Sequence, residues 1–203
     1  MNERSFYYFL TMSKKHQILE AAIRSFVERG LQGSSMALVA KEAEVATGSV
    51  YNYFEGKEHL INECFLYVKQ NEVEFLLEHY DPEASFEARF KGVYTSTIRF
   101  MLDHCSYFRF LHLYAFSPVI TQETRDKLYP VFETFINLYK DAYEAGVIGS
   151  PDAPEQHLSI YGGISYLMHY YYVNQVEITD EKIESMVNFA WAALSNSKQV
   201  TEG

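Results

Sequence analysis

With 203 residues the chain can hold one large domain or a small module joined to a larger one. It is 48% apolar with a formal net charge of -10, so a sizeable core is available and a uniformly basic nucleic-acid binder is excluded. No window approaches the unbroken run of about 20 apolar residues needed to span a membrane, and the N-terminus lacks the pattern of a secretory signal, so a cytoplasmic location is expected.

The charge is unevenly placed. Residues 1–60 carry seven basic and seven acidic groups, which leaves all of the net negative charge in residues 61–203. A neutral first segment permits approach to a polyanion that the acidic remainder would repel. The opening MNERSFYYFLT has Arg4 as its single base and reads as an N-terminal extension rather than a minor-groove arm, with Met12 an alternative start.

Ile18, Leu19, Ala22, Ile23, Phe26 and Val27 recur at three- and four-residue steps, which predicts a first helix from Lys14 to Arg29. Ser13 is placed to cap its start and Gly30 to adopt the left-handed ending. Ser34 and Ser35 offer a cap for a short second helix that turns Met36, Val39, Ala40 and Ala43 inward. After Glu44-Val45-Ala46 a third helix is predicted over about Thr47 to Phe54. Gly56 breaks the chain, and Lys57 opens a long segment that stops at Asp81-Pro82. At 1.5 Å per residue this is a rod of roughly 35 Å. Further helices are expected at about 85–103, 106–116, 122–145, 155–174 and 180–197, with Pro130 kinking or splitting the third of these. No strand alternation and no internal repeat is found.

Two short helices joined by a tight turn, the second opening on small polar residues and showing aromatics outward, form a helix-turn-helix pattern whose second helix can enter a DNA major groove. Val50 and Phe54, four apart, would anchor that helix inward and leave Tyr51 and Asn52 on the groove side. Asn52 suits an adenine edge or a phosphate, and Tyr51 a thymine methyl or a phosphate. Tyr53 and Lys57 suit backbone contacts. A lysine in the first turn of a helix opposes the helix dipole, so something outside that helix is expected to want the charge.

From Lys14 to about Leu66 the sequence resembles the TetR family of transcriptional regulators. The resemblance rests on an ordered series: Phe26-x-x-x-Gly30, Ser34-Ser35-x-x-x-Val39-Ala40, Ala43-x-Val45, and Gly48-Ser49-Val50-Tyr51-x-Tyr53-Phe54-x-x-Lys57-Glu58-x-Leu60. It implies an all-α fold of about nine helices. An N-terminal three-helix DNA-binding domain would occupy residues 12–58, after the extension 1–11, and a larger helical effector-binding and dimerisation domain residues 59–203. It also implies DNA contacts from Ser35, Thr47, Gly48, Ser49, Tyr51, Asn52, Tyr53 and Lys57. Many family members carry glycine where this chain has Glu44, and a base near Ala37 or Thr47; fewer bases here mean fewer phosphate contacts.

The larger part is rich in rings, most of which are expected to fill a core. The resemblance implies a pocket among the middle helices, and ring-lined pockets favour apolar or aromatic small molecules. Candidate pocket residues are His104, Tyr107, Phe110, Tyr114, Phe132, Tyr166 and His169. His104, His112 and His169 lack the spacing that sets two metal ligands on one helical face, and Cys64 and Cys105 lack C-x-x-C spacing. No metal, cofactor or catalytic set is therefore expected. Gly162 and Gly163 permit close helix approach, and Ile183, Met186, Val187, Ala190, Trp191 and Leu194 form an apolar stripe. The family's corresponding helices form a homodimer interface, which would present two recognition helices to an inverted-repeat DNA operator, with release by a small-molecule effector. An all-helical carrier or enzyme for an apolar ligand is the competing expectation.

Overall fold

The computed structural model describes residues 13–148 and 153–195, so the extension 1–11 lies outside the described residues. Ten helices occur among them: α1 (Lys14–Gly33), α2 (Met36–Glu42), α3 (Thr47–Tyr51), α4 (Lys57–Glu78), α5 (Phe86–Asp103), α6 (Cys105–Tyr114), α7 (Gln122–Asp126), α8 (Tyr129–Glu144), α9 (Ala153–Val173) and α10 (Asp180–Ser195). The fold is all-α, with an N-terminal helix-turn-helix and a larger helical part. The expected helix over 122–145 is two helices, α7 and α8. Proline lacks an N–H and is tolerated only in a first turn, which is where α8 holds Pro130.

Helix ends follow local chemistry. The Ser13 hydroxyl accepts from His16 N–H at 3.3 Å and Ser85 from Ala88 N–H at 3.3 Å. Gly30, at φ 68°, kinks α1 where a left-handed residue was expected. At the end of α2, Glu44 N–H donates to Lys41 C=O (3.2 Å) and Val45 N–H to Ala40 C=O (3.0 Å), the paired bonds of a Schellman ending. This ending requires positive φ at Glu44, which has 55°. The same pair closes α8 through Gly146 and α9 through Gln175.

By contacts the chain divides into two compact units. The first comprises residues through Lys69 together with Cys105–Asp126, and the second Gln70–His104 with residues from Lys127 onward. Helix α4 is shared between them. In the first unit α1 packs on α2 and α6, burying Ile18, Ile23 and Phe26 completely, and the Tyr114 hydroxyl donates to Phe26 C=O at 2.9 Å. The Cys64 thiol is buried there. Desolvation, with Glu20 and Glu63 nearby, pushes its pKa well up, so it packs as an apolar group.

In the second unit α10 lies chiefly along α5, and α9 contacts α5, α8 and α10. Trp191 packs against Phe86 and Phe90, with ring centroids 5.8 and 5.6 Å apart. The stripe read as a dimer interface is therefore spent inside the chain. Ile183, Met186, Val187, Ala190 and Leu194 are all buried, because a helix laid along α5 must cover its apolar face there.

Candidate nucleic-acid interface

Helix α3 is short and held from one side. Val50 and Phe54 are fully buried, Phe54 N–H donates to Val50 C=O at 3.0 Å, and Lys15 Nζ stands 5.9 Å from the Phe54 ring centroid. Burying two such side chains contributes about 3–6 kcal/mol, enough to hold a helix too short to persist alone. The four-residue spacing fixes which groups face outward. Thr47, Gly48, Asn52 and the two tyrosines are exposed, Tyr51 by 54% and Tyr53 by 42%, and Ser49 is half-buried. Large rings are normally covered, so two adjacent exposed ones beside an amide mark a surface prepared for contact. The N-cap position, Ala46, offers no side-chain acceptor to the first N–H groups of α3.

Ser35 is exposed and its hydroxyl accepts from Leu38 N–H at 3.2 Å, so it caps α2 as the sequence suggested. Lys57 is half-buried. Its ammonium donates to Leu31 C=O at 2.7 Å, which explains a lysine at a helix start: the last turn of α1 supplies the acceptor. A lysine ammonium has three donors, so this bond leaves capacity for a second acceptor. Lys41, exposed in the last turn of α2, was not singled out from the sequence. Its lack of an inward periodic partner was the available signal.

The candidate pocket residues are divided between the two units. Tyr107, Phe110 and Tyr114 are buried in the first unit, where Phe110 lies 6.4 Å from the Phe26 ring. His104, Phe132, Tyr166 and His169 belong to the second unit. There His104 meets Phe100 at 4.7 Å, Phe132 meets Phe135 at 6.5 Å, and Tyr166 is 73% exposed. The second unit also buries a polar group that the sequence did not flag. The Tyr94 hydroxyl lies 2.7 Å from that of Tyr139 and 2.9 Å from His157 Nδ1, beside Phe86 and Phe90. Burial drives both tyrosine pKa values far above their ordinary value, so both hydroxyls stay protonated. Among the described residues no group of His, Cys, Asp and Glu is arranged to hold a metal ion, and no helix is long and apolar enough to cross a membrane.

The exposed face of α3, packed on α2 and followed by the buried Phe54, has the arrangement of a helix-turn-helix DNA-binding module. Residues 18–64 match the model of bacterial regulatory proteins of the tetR family. Residues 18–64 thus carry a DNA-binding domain of the TetR type, and the chain is similar to DNA-binding transcriptional regulators of that family. It is 24% identical to the transcriptional regulator LuxR of Vibrio harveyi over 163 residues, covering 76% of this chain and 77% of that one. It is 43% identical to the uncharacterized regulator YhgD of Bacillus subtilis over 56 residues, 28% of this chain and 29% of that one. A TetR family transcription regulator from Marinobacter aquaeolei shares the fold with a TM-score of 0.83 at 24% identity, covering 90% of this chain and 95% of that one.

Proposed function

We propose that the chain represses transcription by binding an inverted-repeat operator as a homodimer and leaves the DNA when a small apolar or aromatic effector binds. The observation that carries this reading is the outward presentation of Thr47, Gly48, Tyr51, Asn52 and Tyr53 from a helix whose other side is fully buried. In it Tyr51 and Asn52 read base edges, while Ser35, Ser49, Tyr53, Lys57 and Lys41 hold phosphates.

The dimer uses the faces of α9 and α10 that the chain leaves open. Leu158, Gly162, Tyr166 and Tyr170 recur at four-residue steps along α9 with Gly163 beside them, and Phe189 of α10 is 78% exposed. An open glycine pair with flanking rings suits close packing against a second copy. Two recognition helices then fall about 34–36 Å apart or more, one turn of DNA. The effector is taken up in the second unit near the Tyr94–Tyr139–His157 group, where rings surround a few hydrogen-bonding atoms.

Duplexes selected from a random-sequence pool by the purified protein test this reading. A palindromic consensus is expected, with affinity that falls steeply as salt rises. Tyr51→Ala combined with Asn52→Ala should abolish the preference for the consensus. A protein that enriches no sequence refutes the reading.

A further inference from the structure

Three side chains of the first unit converge on one carboxylate, and nothing in the DNA-reading surface accounts for them. Glu20, on α1, accepts at Oε1 from the hydroxyl of Tyr107 on α6 and, at 3.0 Å, from that of Tyr67 on α4. The two hydroxyls are 3.5 Å apart and the rings meet edge-on at 6.0 Å. The other oxygen, Oε2, faces Arg24 Nη1 at 3.8 Å. Tyr107 is buried and Glu20 is 23% exposed in its side chain. Desolvation first, and Glu20 second, hold the Tyr107 hydroxyl protonated, so it serves as a donor to the carboxylate.

Simple adhesion does not require this arrangement. The apolar contacts of Phe26 with Phe110 already attach α6 to α1, and apolar contacts tolerate sliding and rotation that hydrogen bonds to a charge do not. A partly buried carboxylate adds little net stability over an apolar replacement, yet it fixes geometry. The places where it acts are specific. The chain leaves the first unit after Lys69 and re-enters it at Cys105. Tyr67 and Tyr107 each lie within three residues of those crossings. One carboxylate on α1 therefore holds the chain beside two of its three crossings between the units, the third falling after Asp126.

We infer that Glu20 is a positioning residue for DNA reading, fixing α4 and α6 on α1 beside two of the points where the chain passes between the units, after Lys69 and at Cys105. It sets the orientation in which α3 meets DNA, and a displacement of either crossing is felt at that bond. This rests on the reading of α3 as the groove-facing helix.

The test uses the full chain and duplexes it has itself enriched from a random pool. Tyr67→Phe/Tyr107→Phe removes both donors and keeps both rings, and Glu20→Gln keeps the shape and removes the charge. For each, thermal melting establishes folding, and affinities for the enriched duplex and an unrelated duplex give a specificity ratio. The ratio is expected to fall about tenfold, the loss of one charge-assisted hydrogen bond's worth of orientation, with the unrelated duplex bound as before. Backbone amides of 105–114 should exchange faster. A purely structural role would lower the melting temperature and leave the ratio in place. If the double variant does not fold, Glu20→Gln alone decides. A folded variant whose ratio stays within threefold of native overturns the inference. A native protein that enriches no duplex overturns it together with the groove-reading assignment, and the missing consensus distinguishes that outcome.

Discussion

Replacing Glu44 by glycine is expected to stabilise the first unit and tighten its hold on DNA, by separable causes. Glu44 sits at φ 55° in the Schellman ending of α2, the same ending that Gly146 closes at φ 65° in α8. A side chain in the left-handed region costs about 1–2 kcal/mol. The freedom glycine has in the unfolded chain offsets about 0.5–1 kcal/mol of that. The net gain is about 0.5–1 kcal/mol, a rise in melting temperature of about 1–4 °C for a chain of this size. Glu44 is exposed in the turn leading to α3, so losing its carboxylate also removes a repulsion against phosphate. Glu44→Gln separates the two effects, since it keeps the strain and loses the charge. Melting followed by circular dichroism should rank glycine above glutamine, with glutamine near native. Both variants should bind duplex more tightly at low salt. A glutamine variant as stable as the glycine one, or a glycine variant less stable than native, refutes the assignment of strain to Glu44.

Gly48 has ordinary helical geometry and open space where a Cβ would stand, so Gly48→Ala should melt no lower than native and as much as about 1 kcal/mol more stably. Its operator affinity should nonetheless drop, because the added methyl occupies the face that approaches DNA; unchanged affinity in an anisotropy titration argues that DNA does not come close there. Stability should also decline in alkali. Tyr94, Tyr107 and Tyr139 have folded-state pKa values raised above the ordinary value of about 10, so the unfolded chain ionises first. Their contribution is complete below about pH 10 and is lost above it at about 1.4 kcal/mol per pH unit for each group. Urea melts between pH 9 and 11.5 should show this loss, shallower in Tyr94→Phe.

Much of the architecture was legible because helix periodicity and chain breakers act locally. Pro130 divides α7 from α8 and Gly30 kinks α1 for reasons contained in a few neighbouring residues. Val50 and Phe54 announced their burial by spacing, and that in turn fixed which α3 residues face out. The less legible features depend on distant partners. The α10 stripe revealed that one face is covered but not what covers it, and α5 of the same chain does so. Tyr107, Phe110 and Tyr114 are buried, and ring chemistry in the sequence is the same in a pocket and in a core. Lys57 was read as awaiting a partner, and its acceptor, the Leu31 carbonyl, is a backbone atom that no side-chain pattern reports.

The first unit is written in two pieces of gene. A graft of this reading head onto another sensor, cut after Lys69, would leave behind the helix bearing Tyr107 and Tyr114 and expose the bed on which Phe26 and Glu20 rest. A working chimera must carry Cys105–Asp126 as well. Recombination at a single junction after Lys69 thus separates α1 from the α6 residues that pack on it.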